Sequence, residues 1–292
     1  MRLDDSRRSD NVDDERGAGG GSGGGGYGLH LGIGGTLLVL VVGYFMGVNP
    51  MTLLGVISGA PDSGSAAPAS APVHDAASDK QVDFVRAVLG STEDVWTAYF
   101  RQQGKTYTPP TLVLFSGSIA SACGRASAAS GPFYCPGDQK VYLDLDFFRQ
   151  LSTQFGAPGD FARAYVIAHE VGHHVQDLQG ISSAAEHAEQ RTNQVGANHV
   201  SIEVELQADC YAGVWAAQAN RTQKILEPGD LEQGLQAASS VGDDTLQKRM
   251  QGTVVPDSFT HGTSAQRVKW FRRGFDSGQI ENCDTFKAGP AL

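Results

Sequence analysis

The 292-residue chain holds only four cysteines, no Cys-x-x-Cys pair, and not one Asp, Glu, Lys or Arg between Gly17 and Pro61. Each shortage excludes something. Without a Cys-x-x-Cys pair, a structural zinc held by cysteines is disfavoured. With 22 basic against 32 acidic residues and a net charge of −10, the chain lacks the basic surface that nucleic-acid phosphates require, so no nucleic-acid partner is expected. The one dense basic run, Arg267, Lys269, Arg272 and Arg273, reads as the solvated side of a C-terminal helix. A second long apolar run is also missing, which argues against a channel or transporter component.

The uncharged stretch organises the N-terminal quarter. Residues 1–30, charged and then glycine-rich, cannot bury enough apolar surface to offset chain entropy and are expected to form a disordered cytoplasmic tail. Residues 31–57 contain LGIGGTLLVLVVGYFMGV and are long enough for one transmembrane helix. A cleaved signal peptide fits less well, because the leader is long and polar and the apolar run is extended. Arg2, Arg7, Arg8 and Arg16 precede the run and no Lys or Arg follows it until Lys80. By the positive-inside rule the N-terminus is cytoplasmic and the rest is exported, giving a single-pass membrane protein with an extracytoplasmic domain. Residues 58–79, rich in Ala, Pro and Ser, read as a linker, and residues 80–292 as the folded domain.

An even cysteine count in an exported domain favours disulfides. Cys123 and Cys135 could close a local loop and Cys210 and Cys283 could staple a central helix to the C-terminal tail, but four cysteines allow three pairings and spacing alone does not choose. The fold class expected for 80–292 is α+β, mostly helical with a small sheet. Helical periodicity runs through 81–104, 160–179, 201–220, 230–240, 244–250 and 264–275. TLVLFSG (111–117) suits a strand, and PFYC and KVYLDL flank the turn signal Pro136-Gly137-Asp138 as a hairpin. KVYLDL is expected to be the edge strand along which an extended peptide could lie.

The chemistry concentrates in AHEVGHHVQ, residues 168–176, in the middle of a helix capped near Asp160 and stopped at Gly180. At i and i+4, His169 and His173 share a face and can direct two imidazoles at one ion. Glu170, beside the first histidine, is placed to reach a water on that ion; this is the HExxH arrangement. His174 points off the metal face. A third ligand is needed, and Gln176 and Gln179 stand where a metzincin has glycine and histidine, so that class is excluded. His187, His199, Glu203, Glu205 and Asp209 remain as candidates. Glu205 and Asp209, in ELQAD, are again i and i+4, so one can ligate while the other orients a histidine. Ala208 between them leaves room for a close helix approach.

HEVGHH, ELQADCYAGVW, GPFYCPGDQKVYLDLDFF and THGTSAQRVKWFRRGF together resemble the bacterial neutral zinc metallopeptidase family over residues 80–290, with an N-terminal anchor also typical. The resemblance implies a zincin-like fold of the gluzincin type and one Zn2+ per chain. It also implies His169, His173 and Glu205 as ligands, Glu170 as catalytic base and Asp209 as the orienter of His169. It names no substrate beyond a peptide or protein. His261, before the last helix, is the candidate oxyanion donor, ahead of Tyr211 and Tyr142. The alternative function is a non-catalytic, zinc-stabilised envelope protein that binds partners.

Overall fold

Apolar residues recur every three to four positions through most of the chain beyond residue 76, and that spacing sets a mainly helical architecture. The structure is a computed structural model that describes residues 1–16, 76–127 and 131–289. Among these residues the helices are α1 (Ala76–Gln102), α2 (Asp146–Thr153), α3 (Asp160–Leu178), α4 (Ile181–Glu189), α5 (Gln194–Gln223), α6 (Asp230–Ser240), α7 (Asp243–Gln251) and α8 (Ser264–Ser277). The strands are β1 (Val12–Asp14), β2 (Thr111–Phe115), β3 (Ser118–Ser121), β4 (Gly124–Ser127), β5 (Phe133–Cys135) and β6 (Lys140–Asp144). The α+β, mostly helical class with a small sheet is therefore as expected.

Helices α3, α5 and α8 carry the core. Phe161 stacks on Trp215 with ring centroids 6.1 Å apart, and Phe271 meets Phe161 and Tyr165 edge-on. Two close approaches bring these helices together. A Cβ on Gly172 of α3 would lie 3.1 Å from the Ala208 carbonyl oxygen of α5, and one on Gly274 of α8 would collide with the Cys210 carbonyl. Small residues at these crossings let backbones nearly touch, which is what sets the histidine face of α3 against the carboxylate face of α5. The room expected at Ala208 is used in this way.

The main sheet has the order β1-β2-β6-β5, with β1, β2 and β6 parallel and β5 antiparallel to β6. The expected hairpin is present as β5–β6. Its second strand is not an edge, however: KVYLDL sits between β2 and β5, and β5 takes the outer position. The reason is that β2, apolar from Leu112 to Phe115, pairs with β6 in parallel and occupies its free side. A separate hairpin, β3–β4, is tied to the end of β5 by the Cys123–Cys135 disulfide, and Cys210–Cys283 joins α5 to the C-terminal 3-10 turn Ile280–Cys283.

The N-terminal residues depart from expectation. Residues 1–16, read as part of a disordered tail, form β1 and its approach. Val12 and Ser9 are buried, and β1 pairs residue for residue with Leu112–Leu114 of β2. Composition misled here because the pairing partner lies some 100 residues away and leaves no local periodicity. The linker reading also runs too far, since α1 begins at Ala76. The apolar run 31–57, and with it the transmembrane expectation, lies outside the described residues. No helix among the described residues is long and apolar enough to cross a membrane.

Candidate metal centre

Helix α3 starts after Gly159, places Asp160 in its first turn and ends at Leu178, and the left-handed backbone of Gly180 then turns the chain into α4. Its middle two turns present His169 and His173 to α5. The three donor atoms converge: His169 Nε2 lies 3.2 Å from His173 Nε2 and 3.2 Å from Glu205 Oε2, and His173 Nε2 lies 3.5 Å from Glu205 Oε1. A tetrahedral zinc with bonds of about 2.1 Å would space its ligand atoms by about 3.4 Å. The donor set therefore fits zinc in both chemistry and spacing, and it is the one His/Cys/Asp/Glu group of this kind among the described residues.

Each imidazole is fixed from behind. His169 Nδ1 donates to Asp209 Oδ1 at 2.9 Å, and His173 Nδ1 donates to Gln176 Oε1 at 2.9 Å. Both Nε2 lone pairs are thus left facing the centre. Gln176 is held in turn, because its amide nitrogen donates to Val204 O at 2.8 Å and Gln207 Oε1 at 3.0 Å. In the sequence Gln176 served only to exclude the metzincins; its position three residues after His173 was the signal for this second task.

Asp209 is fully buried and takes hydrogen bonds on both oxygens. Arg267 of α8 donates from Nε to Oδ2 at 2.8 Å and from Nη2 to Oδ1 at 3.0 Å, and the Tyr165 hydroxyl also donates to Oδ1. Arg267 corrects the sequence reading: it is 4% exposed and no part of a solvated face. Burial alone would raise the Asp209 pKa, but Arg267 and His169 outweigh it and hold the carboxyl below its ordinary value. Burial likewise opposes charge on His169, yet Asp209 and Glu205 push its pKa up to about 10. Both carboxylates thus face the His169 ring, Asp209 on Nδ1 and Glu205 on Nε2.

Glu170 faces the same pocket as the three donors and is almost fully buried, which raises its pKa. His261 lines the pocket too. Asp243, at the start of α7, uses Oδ2 to accept the backbone N–H groups of Thr260, His261 and Gly262 at 2.8, 2.7 and 3.0 Å. Its Oδ1 lies 3.2 Å from His261 Nδ1, which orients the ring. Burial lowers the His261 pKa, but Glu205 and Asp243 raise it on balance. A capping box between Thr263 and Gln266 then starts α8 directly after this loop.

The remaining candidates fall elsewhere. The Tyr142 hydroxyl donates to Asp138 and that of Tyr211 to Gln179, so neither serves the pocket. His199 pairs with Glu203 at 3.7 Å, and His187 is exposed on α4. His174 is buried, bonded to Tyr134 and the Thr108 carbonyl. The rest of the wall is mainly apolar, with Pro132, Phe133, Phe147, Phe155, Val166 and Leu246 around a cavity of about 430 Å³.

Two histidines one turn apart on one helix and a glutamate from a second, each imidazole backed by its own acceptor, form a candidate His/His/Glu metal site. Comparison with known proteins agrees. The chain belongs to the family described as "Putative neutral zinc metallopeptidase", whose model matches residues 1–286. It is 47% identical over 287 residues to Uncharacterized protein YpfJ of Escherichia coli strain K12, covering 98% of this chain and 99% of the relative. It is also 44% identical over 215 residues to Uncharacterized protein Rv2575 of Mycobacterium tuberculosis strain H37Rv, covering 70% of this chain and 72% of that one. No solved structure matches the chain.

Proposed function

We propose that the chain is a peptidase that uses one zinc ion, held by His169, His173 and Glu205, to hydrolyse peptide bonds. The observation that carries this reading is Glu170, a buried carboxyl facing the pocket onto which three tetrahedrally spaced donors open. A structural zinc site has no use for such a group. When bound, zinc supplies a Lewis acid that polarises the scissile carbonyl and brings water towards a neutral pKa.

The chain's own residues do the rest. Glu170 accepts the proton of the attacking water and passes it to the leaving amine nitrogen; its raised pKa suits both transfers. His261, held by Asp243, donates a hydrogen bond to the oxyanion of the tetrahedral adduct. Asp209, neutralised by Arg267, keeps the His169 ring in register. Strand β5, the outer strand beside the pocket, is the edge that would receive an extended peptide backbone. The apolar wall favours a substrate with a large apolar side chain next to the scissile bond.

Two disulfides favour action in an oxidising, extracytoplasmic compartment, and the apolar run 31–57 is the feature that favours membrane attachment. The test is Glu170→Gln in the full chain. Zinc content and fold should be unchanged, while kcat for peptide hydrolysis should drop by about 10²–10⁴-fold. A variant of undiminished activity would refute the role of Glu170. Wild-type protein that holds zinc but cleaves nothing in a peptide library would favour the binding-protein alternative.

A further inference from the structure

One stripe of α1 is built to receive residues 1–16. Asp83, Arg86, Gly90 and Glu93 recur at helical spacing along it. Arg8 pairs with Asp83 at 2.7 Å, and Arg86 donates to the carbonyls of Ser9 and Val12 at 2.9 and 3.2 Å. A Cβ on Gly90 would stand 2.5 Å from the Arg7 carbonyl oxygen, so glycine is what lets the N-terminal chain lie against the helix. Glu93 is 4% exposed, and its carboxylate receives Arg7 Nη2 at 2.5 Å, Ser9 Oγ at 2.5 Å and Asn11 Nδ2 at 2.8 Å. All three donors come from the N-terminal segment. Placed elsewhere, that segment would take all three donors away from Glu93.

We infer that residues 1–16 and the domain beginning at Ala76 lie on the same side of any membrane that the apolar run between them enters, so that this run is no single-crossing anchor. A strand cannot pair with β2 through about 30 Å of hydrocarbon. Two crossings need about 40 apolar residues, more than residues 31–57 contain. The basic residues that suggested a cytoplasmic N-terminus have another use: Arg7 and Arg8 bind Glu93, Asp94 and Asp83 within the fold. This inference replaces the single-pass topology expected from sequence and is independent of the peptidase reading.

The test uses the full chain in bacterial spheroplasts. All four native cysteines are in disulfides, so an introduced one is the sole free thiol. Asp5→Cys and Lys105→Cys, both at exposed positions, are each treated with a membrane-impermeant maleimide before and after detergent, with Asp10→Cys as a second N-terminal probe. The inference expects the N-terminal and domain sites to react alike, within about twofold: both before detergent if the domain is exported, both only after it if the domain is internal. Reaction of one before detergent and of the other only after it would overturn the inference. Val12→Asp should lower the thermal midpoint by about 5 °C or more, because it disrupts a buried strand. An unchanged midpoint would overturn the packing on which the inference rests.

Discussion

Two buried carboxylates, Asp209 beside the candidate metal site and Glu93 on α1, are each satisfied by an arginine and a hydroxyl, with a histidine ring added at Asp209 and an asparagine amide at Glu93, yet they serve different ends. Asp209 takes its arginine from α8, a helix locked against α5 by glycine contacts and a disulfide close by. Glu93 takes its own from Arg7, whose side chain is half exposed, on a segment joined to α1 only through residues outside the described set. The first knot orients His169, a candidate metal ligand; the second docks the segment that supplies edge strand β1. A buried charge is costly without partners, so each knot enforces a particular arrangement: at Asp209 the register of three helices, at Glu93 the docking of a chain end.

The comparison can be broken at its stronger end first. Arg267→Ala should strand Asp209 as an unpaired buried charge and destabilise the fold by about 3–5 kcal/mol, measurable by denaturant unfolding. A loss below about 1 kcal/mol would mean that Tyr165 and His169 suffice for Asp209. Next, Asp209→Asn keeps the shape but weakens the support of His169. Zinc affinity should fall by about 10–100-fold in a competition titration, with a smaller fall for Gln176→Ala because its partner is a neutral amide. Equal effects would erase the distinction between a charged and a neutral backing group. Arg7→Ala should cost about 1 kcal/mol, since the side chain is half in water and Ser9 and Asn11 still serve Glu93.

The smallest effect concerns acid. The Arg8 hydrogen bond and charge hold the Asp83 pKa below the ordinary carboxylate value against a small opposing effect of burial. A depressed folded-state pKa contributes stability above the unfolded value, about 3.9, and loses it as pH falls through the folded value. Asp209 and Asp243, also depressed, add contributions of the same sign. Unfolding midpoints should therefore drop below about pH 4, and Asp83→Asn should flatten that drop slightly.

Much of the centre was legible because its chemistry is local. His169 and His173 share a helical face whatever surrounds them, and Glu205 and Asp209 repeat the same spacing. What stayed hidden joins distant parts of the chain. Arg267 carried the sequence pattern of a solvated basic run, and only the crossing of α8 over α5 buries it. KVYLDL has the alternation of an edge strand, but β2 claims its free side. Residues 1–16 are too short and too polar to announce a strand, and their partners on α1 lie about 80 residues away.

By itself, then, the sequence determined which residues could bind a metal and on which helical faces they lie, because a turn of helix fixes neighbours three and four residues apart. Tertiary structure alone decided that two such faces meet within zinc-binding distance, that Arg267 and Gln176 stand behind them, and that the chain's first residues complete the sheet. Those outcomes depend on backbone approaches at Gly172, Gly274 and Gly90, where the absence of a side chain matters only once another element arrives.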